Sequence, residues 1–335
     1  MPMRTLRRIC CALLLASSVH ATATAAAPAP VTSPFLDATP CFQQDYDQWV
    51  ARLTARADAG PAQKAMVRAT IHARFPRSRY EGAQQRLDCH AIRYDSDGLA
   101  IMGWMAAPRD AGNGKLPVII FNRGGNGGFG ALKFADLFSH VFPLAEQGFL
   151  VLASQYRGVS DADPAKFGED EFGGADVEDV RRLIALAREL PNADADNIFL
   201  LGFSRGVMQG YMAARHHDDI RAMAMVNGVV DLEADLAYRP EMEKVYRARI
   251  PGYAENKVEA LRERSALAWA EDLPKSAPIL LMHGSEDQHV APDNGPKMKQ
   301  RLDALRHPNR LVMFEGEDHF LDPAKVVAEA VAWFR

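Results

Sequence analysis

The sequence predicts an α/β fold: a mostly parallel eight-stranded sheet flanked by helices, with a helical cap insertion and a small helical N-terminal preface. Three observations carry this. Beyond Pro117, short apolar runs of strand length alternate with helix-length stretches, the pattern of a parallel sheet covered on both faces. Upstream, two strand-like segments flank Asp97-Gly98, a strong hairpin signal. The charged stretch Asp231 to Asp272 interrupts the alternation and reads as a helical insertion. The 335 residues are read as a leader at 1–27, a linker and helical preface at 28–85, and one α/β domain at 86–335 holding a cap at 231–272.

In chain order, Arg4, Arg7 and Arg8 precede an apolar run from Ile9 to Ala16 and then small residues, including Ala23-Thr24-Ala25, the layout of a secretory signal peptide. That apolar core is shorter than the roughly 20 residues that span a bilayer. The expectation is an exported protein, periplasmic or secreted, with no membrane attachment after signal removal. The formal charge is -4, and loss of the three leader arginines takes it to -7. A mildly acidic surface gives no electrostatic reason to expect a nucleic-acid partner. Cys41 and Cys89 remain, and an even pair in an oxidising compartment favours a disulfide over two separate thiols.

Residues 27–40, rich in Pro, Ala, Thr and Ser, read as an extended linker. Tyr46, Trp49, Val50, Leu53 and Ala57 recur at helical spacing, and Met66, Ala69 and Ala73 continue it after Gly60-Pro61. The predicted strands are Leu87 to Tyr94, Leu99 to Ala107, Val118 to Phe121, Phe149 to Ala153, Ile198 to Phe203, Ala222 to Val226, Ile279 to Met282 and Leu311 to Phe314. Helices are predicted over Leu132 to Gln147, Val177 to Leu190, Val207 to His216 and Pro296 to Arg306. No internal repeat with the 40- to 50-residue period of a propeller is visible.

The strand ending at Phe203 runs into Gly202-Phe203-Ser204-Arg205-Gly206 and then a helix. Gly-x-Ser-x-Gly at such a junction places the serine on a sharp elbow with its hydroxyl above the sheet edge. Alone, it could equally mark a serine capping a helix. Two further loops decide between these. His283-Gly284-Ser285-Glu286-Asp287 follows the next-to-last strand, and Asp318-His319 follows the last. The order Ser, acid, His, each after a strand, is a nucleophile–base–acid set in which Ser204 attacks, His319 moves the proton and Asp287 orients the imidazole. Glu286 is the rival acid, and Asp318 is disfavoured as the immediate neighbour of the histidine. His216, His217, His283, His289 and His307 are read as surface or structural residues, with His216-His217-Asp218-Asp219 lacking a defined metal-ligand spacing.

Acyl transfer also needs donors aimed at the oxyanion. The loop Asn122-Arg123-Gly124-Gly125-Asn126-Gly127-Gly128 can supply one backbone N–H, from Arg123 or Gly124, and Arg205 the other. These glycines match neither a phosphate-loop nor a dinucleotide spacing, so no cofactor or metal is expected. The Arg123 side chain either anchors an anionic substrate group or braces its loop, the brace being favoured.

With these motifs in order, the chain resembles the α/β-hydrolase catalytic domain of the prolyl oligopeptidase family of serine peptidases. The carrying segments are Asp95-Ser96-Asp97-Gly98, Leu116-Pro117-Val118-Ile119-Ile120, Asn122-Arg123-Gly124-Gly125, Gln155-Tyr156-Arg157-Gly158, the Ser204 elbow, His283 to Asp287, and Asp318-His319. The resemblance covers about Leu87 to Arg335 and implies the triad Ser204, Asp287 and His319, with Tyr156 and Arg123 as candidate substrate contacts. It also implies a peptidase acting on small peptides or esters; a carboxylesterase acting on acyl or carbohydrate esters is the alternative. Val207, where relatives often carry a second glycine, is expected to narrow the site. The oligomeric state is not legible in the sequence.

Overall fold

Alternate residues of the central strands face two separate apolar cores. Val118, Ile120, Leu150, Leu152, Ile198, Leu200, Ile279 and Leu281 point into one. Ile119, Phe121, Val151, Ala153, Phe199, Leu201, Leu280 and Met282 point into the other. That period of two, with both faces apolar, is why the strands read as continuous hydrophobic runs. The computed structural model describes residues 34–55, 60–112, 114–159 and 164–335, so the predicted leader at 1–27 lies outside the described residues.

The strands are β1 Asp37–Pro40, β2 Leu87–Ser96, β3 Leu99–Pro108, β4 Leu116–Asn122, β5 Leu150–Ser154, β6 Ala193–Phe203, β7 Ala222–Val226, β8 Ile279–Gly284 and β9 Asn309–Phe314. They form one sheet in the order β1-β2-β3-β5-β4-β6-β7-β8-β9. Pairings from β1 to β5 along this order are antiparallel and the rest parallel. The order reverses around β4, and the loops after β4 and β6 open at that switch point, where open α/β sheets gather ligands. The hairpin turns at Asp97 and Gly98, both at positive φ, as its Asp-Gly pair predicts.

Among the described residues the sheet has nine strands rather than the eight expected. The extra one, β1, has the sequence Asp-Ala-Thr-Pro, whose lack of apolar alternation predicts linker rather than strand. Its pairing comes from partners remote in sequence: Asp37 forms an ion pair with Arg93 across the strands, and Cys41, just beyond its end, is bridged to Cys89 of β2 with the Cα atoms 5.4 Å apart. The bridge spans 48 residues, for which loop-closure entropy gives up to about 4 kcal/mol. Cys41→Ser is therefore expected to lower the melting temperature, and mass spectrometry of the non-reduced protein is expected to find no free thiol at Cys41 or Cys89. Two free thiols, or an unchanged melting temperature, would reject the bridge.

In the preface, helix Tyr46–Ala55 buries Tyr46, Trp49 and Val50, and these join Phe75, Tyr80 and Phe138 in the second core. The next helix, Pro61–Arg74, buries no side chain, and Met66 is 70% exposed. Its half-buried face is Lys64, Val67 and Ile71 rather than the predicted Met66, Ala69 and Ala73. The predicted single helix over Leu132 to Gln147 is two short ones, Phe134–His140 and Phe142–Glu146, the second starting with Pro143 in its first turn. Proline has no N–H to continue the earlier hydrogen-bond ladder but suits a helix start. A last helix, Pro323–Phe334, was not anticipated, although Asp322 accepts the Ala324 N–H as its cap and Val327, Val331 and Phe334 recur at helical spacing.

The stretch 231–272 is helical throughout its main part: Leu232–Tyr238, Met242–Arg249 and Tyr253–Glu263, then two 3₁₀ turns. Asp231 starts it by accepting the Ala234 N–H. These helices bury Leu232, Tyr246, Ile250 and Tyr253 with Phe172 and Met208 in a third, smaller cluster. That cluster seats the insertion against the helix that follows Ser204.

Candidate active site

Ser204 occupies the turn between β6 and helix Arg205–Ala214 with φ 56° and ψ -123°, a conformation that costs a non-glycine residue backbone strain. The surrounding structure holds it there. The Ser204 N–H donates to the Val226 carbonyl of β7 at 2.8 Å. A Cβ on Gly206 would lie 1.9 Å from the Asn122 carbonyl oxygen, and one on Gly202 would lie 2.5 Å from the Gly206 oxygen. Both motif glycines are thus required by close backbone approach, and the motif is an elbow rather than a cap.

His319 Nε2 lies 3.1 Å from Ser204 Oγ, and His319 Nδ1 lies 2.8 Å from Asp287 Oδ2. The other carboxylate oxygen of Asp287 accepts the N–H groups of His289 and Val290 at 2.8 and 2.9 Å. Burial alone would raise the Asp287 carboxyl. The hydrogen bonds from His283 and His319, with the charge of His319, outweigh it and hold the group well below the usual carboxylate range. The rival acids stand elsewhere: Glu286 is exposed, and Asp318 turns back to accept its own loop's Phe320 N–H.

Two buried residues complete this arrangement. His283 is buried, with Nε2 3.3 Å from the Val290 carbonyl and 3.5 Å from Asp287 Oδ2, so it is a structural histidine that braces the loop after β8 and stands beside that acid. Asn227, fully buried, donates from its amide to the His319 carbonyl at 2.8 Å and accepts the Gly284 N–H at 2.9 Å. It therefore ties the loop carrying His319 to the strand end that leads to Asp287. An asparagine just after β7, followed by Gly228, is the only signal, and it gives no hint of either partner.

The family model for the prolyl oligopeptidase family of peptidases matches residues 135–335, from before β5 to the end of the chain. The chain belongs to the prolyl oligopeptidase family. It is accordingly a serine-type peptidase of α/β-hydrolase fold. The peptidase YtmA of Bacillus subtilis is 26% identical over 262 residues, covering 77% of this chain and 97% of that protein. Dipeptidyl-peptidase 5 of Porphyromonas gingivalis is 25% identical over 232 residues, 68% of this chain but 34% of its own length. A puromycin-hydrolysing peptidase of Mycobacterium tuberculosis superposes with a TM-score of 0.62 at 23% identity, over 73% of this chain and 38% of that one. The chain thus spans little more than a third of the longer relatives.

Within this prolyl oligopeptidase fold, the glycine loop after β4 abuts the elbow: a Cβ on Gly124 would lie 3.0 Å from Ser204 Cβ. The Arg123 side chain turns inward. Its guanidinium donates to the carbonyls of Gly124, Gly127 and Gln155, so its donors hold the loop rather than an anionic substrate group. Tyr156 also departs from the expected substrate contact, because it is buried with its hydroxyl on the Arg123 carbonyl at 3.2 Å. Arg205 is buried behind the elbow, where its guanidinium pairs with Asp170 at 2.6 Å and Asp176 at 2.5 Å. Asp170 also accepts the Gly127 N–H, so one carboxylate links the residue after Ser204 to the loop facing it. Burial would raise Asp170, but the Arg205 charge and hydrogen bond win and lower it. Val207 does not narrow the site: it is buried in the first core, with its side chain filling the space beside Gly228.

Ser204 and His319 open into a cavity of about 770 Å³. Its inner wall is Phe203, Gly124 and Leu132, and its roof is the 231–272 insertion through Leu232, Asp235, Met242 and Val245. Phe129 and Phe320 line it while remaining 78% and 69% exposed. His289, read from the sequence as a surface or structural histidine, also lines it, with its ring centroid 4.9 Å from that of His319. Burial, the His319 charge and Arg239 lower its pKa. Among the described residues, no group of three or more His, Cys, Asp or Glu could hold a metal ion, and no helix is long and apolar enough to cross a membrane.

Proposed function

We propose that this protein is an exported serine peptidase that cleaves small peptides through an acyl-enzyme on Ser204. The observation that carries this is the continuous hydrogen-bonded chain from Ser204 through His319 to Asp287, standing at three strand ends and open to the cavity. Ser204 Oγ attacks the scissile carbonyl carbon while His319 Nε2 takes its proton. The oxyanion that forms faces the backbone N–H of Arg205 and that of Arg123 or Gly124, whose loop lies against the elbow. As the C–N bond breaks, His319 returns the proton to the leaving amine. Water, deprotonated by the same imidazole, then releases the acid. Export is supported by the arginine-led apolar leader of the sequence and by the Cys41–Cys89 bridge, and amino-terminal sequencing of the mature protein tests it.

An amine leaves poorly unless it is protonated, so a site competent for amides also cleaves activated esters, whereas the converse does not hold. The expected result is ready hydrolysis of short-chain aryl esters together with slower cleavage of aminoacyl anilides. The measurement is kcat/KM for matched aminoacyl ester and anilide substrates, with Ser204→Ala as background. Ester turnover with no anilide signal above that background would replace the peptidase reading with the carboxylesterase one.

A further inference from the structure

The rings packed around His319 do not belong to a closed core. Phe320, the next residue in the chain, is 69% exposed, and its ring stands edge-on to that of His319 at 5.3 Å and to that of His289 at 5.8 Å between centroids. Phe203, the residue before Ser204, lies 5.2 Å from His319 and 6.4 Å from Phe320 on the same measure. All four rings line the catalytic cavity. Burial, His319 and Arg239 lower the pKa of His289 from its ordinary value, so at pH 8 its ring is neutral. Apolar and neutral rings left open to water in this way are what a partner of like chemistry covers.

The reaction decides which part of a substrate meets these rings. In the tetrahedral intermediate the reacting carbon carries Ser204 Oγ, the oxyanion, the acyl carbon and the leaving nitrogen. His319 Nε2 takes the serine proton and returns it to that nitrogen. The nitrogen therefore stands beside the His319 ring, and the oxyanion and the acyl carbon point away from it. Side chains gathered around His319 thus flank the residue whose nitrogen is released.

We propose that Phe203, His289 and Phe320 form a leaving-side subsite that selects a large apolar side chain, best an aromatic one, on the residue whose nitrogen is released. This rests on the acyl-enzyme reading above and names the substrate class on that side of the bond. An aromatic ring set edge-on or offset against Phe320 and His289 gains beyond the area it buries. Glycine has nothing to place there, and a side-chain carboxylate would exchange water for neutral rings.

The step can be read in reverse, because an amine that attacks the acyl-enzyme enters where the leaving amine stood. Its nitrogen bonds to the acyl carbon, the bond from that carbon to Ser204 Oγ breaks, and His319 passes the amine proton to Oγ. The experiment forms the acyl-enzyme from a short-chain aryl ester at pH 8 and supplies phenylalaninamide, leucinamide, glycinamide or the α-amide of glutamate at equal free-base concentration. Chromatography gives the ratio of amide product to hydrolysed acid, which depends neither on the rate of acylation nor on how much of a sample is folded. Capture by phenylalaninamide is expected to exceed that by glycinamide about tenfold, with leucinamide between them and the glutamate amide no better than glycinamide. In Phe320→Ala the preference is expected to fall to about twofold or less, and in Phe320→Tyr to persist. Phe320 is exposed, so its truncation opens no core cavity. A wild-type preference near one, no capture of any amine while ester hydrolysis continues, a preference unchanged in Phe320→Ala, or one lost instead on Met242→Ala in the roof, overturns the subsite. The peptidase reading fails on a different result, anilides left uncut while aryl esters turn over, and the partition, measured on esters, still decides the subsite.

Discussion

Ser204→Ala is expected to lower kcat by about 10⁶-fold, the scale of losses when a nucleophile of this kind is removed. The substitution deletes one oxygen and leaves the strained elbow in place, because the turn is held by the Val226 carbonyl and by Gly202 and Gly206 rather than by the hydroxyl. The variant should therefore melt within a few degrees of the parent while losing reaction with a fluorophosphonate probe. The measurement combines ester turnover, probe labelling and a melting curve on the same sample. Activity retained within about tenfold, in a folded variant, would remove Ser204 from the proposed mechanism.

Asp287→Asn is the second large effect. The carboxylate fixes His319 by accepting from Nδ1 at 2.8 Å, which leaves Nε2, 3.1 Å from the hydroxyl, free to accept the serine proton. An asparagine amide presented to Nδ1 favours the opposite tautomer, with the proton on Nε2, and no longer stabilises the imidazolium. The expected loss in kcat is about 10⁴-fold at neutral pH. The fold should survive, since the amide oxygen can still accept the His289 and Val290 N–H groups. A loss below about tenfold would transfer the orienting role elsewhere, and His283, which stands beside Asp287, would be the first residue to test.

These expectations rest on a site whose parts were unequally legible. The elbow and the order Ser, acid, His came from motifs confined to five or six residues, each attached to an apolar run, whereas Glu286 stood as a rival to Asp287 in the sequence and is set apart only by its exposure in the fold. Asn227 was missed because nothing in its immediate neighbours announces a role. Asn227 acts through His319, 92 residues away, and Gly284, 57 away. The same holds for Arg123 and Tyr156: the motif placed them near the nucleophile, but only packing turned their side chains inward.

By itself the sequence determined the two-faced strands, the hairpin, the helical insertion and the three loops that carry Ser204, Asp287 and His319. All of these depend on periodicity or turn chemistry within a short window, and local sterics and burial act there directly. Tertiary structure alone decided the ninth strand, the inward turn of Arg123 and Tyr156, the clamp by Asn227 and the placing of Asp235 in the cavity roof. Each depends on contacts across the sheet or between the insertion and the strand ends, and its energy exists only after residues tens of positions apart, up to 92 for Asn227 and His319, have been brought together by the two apolar cores.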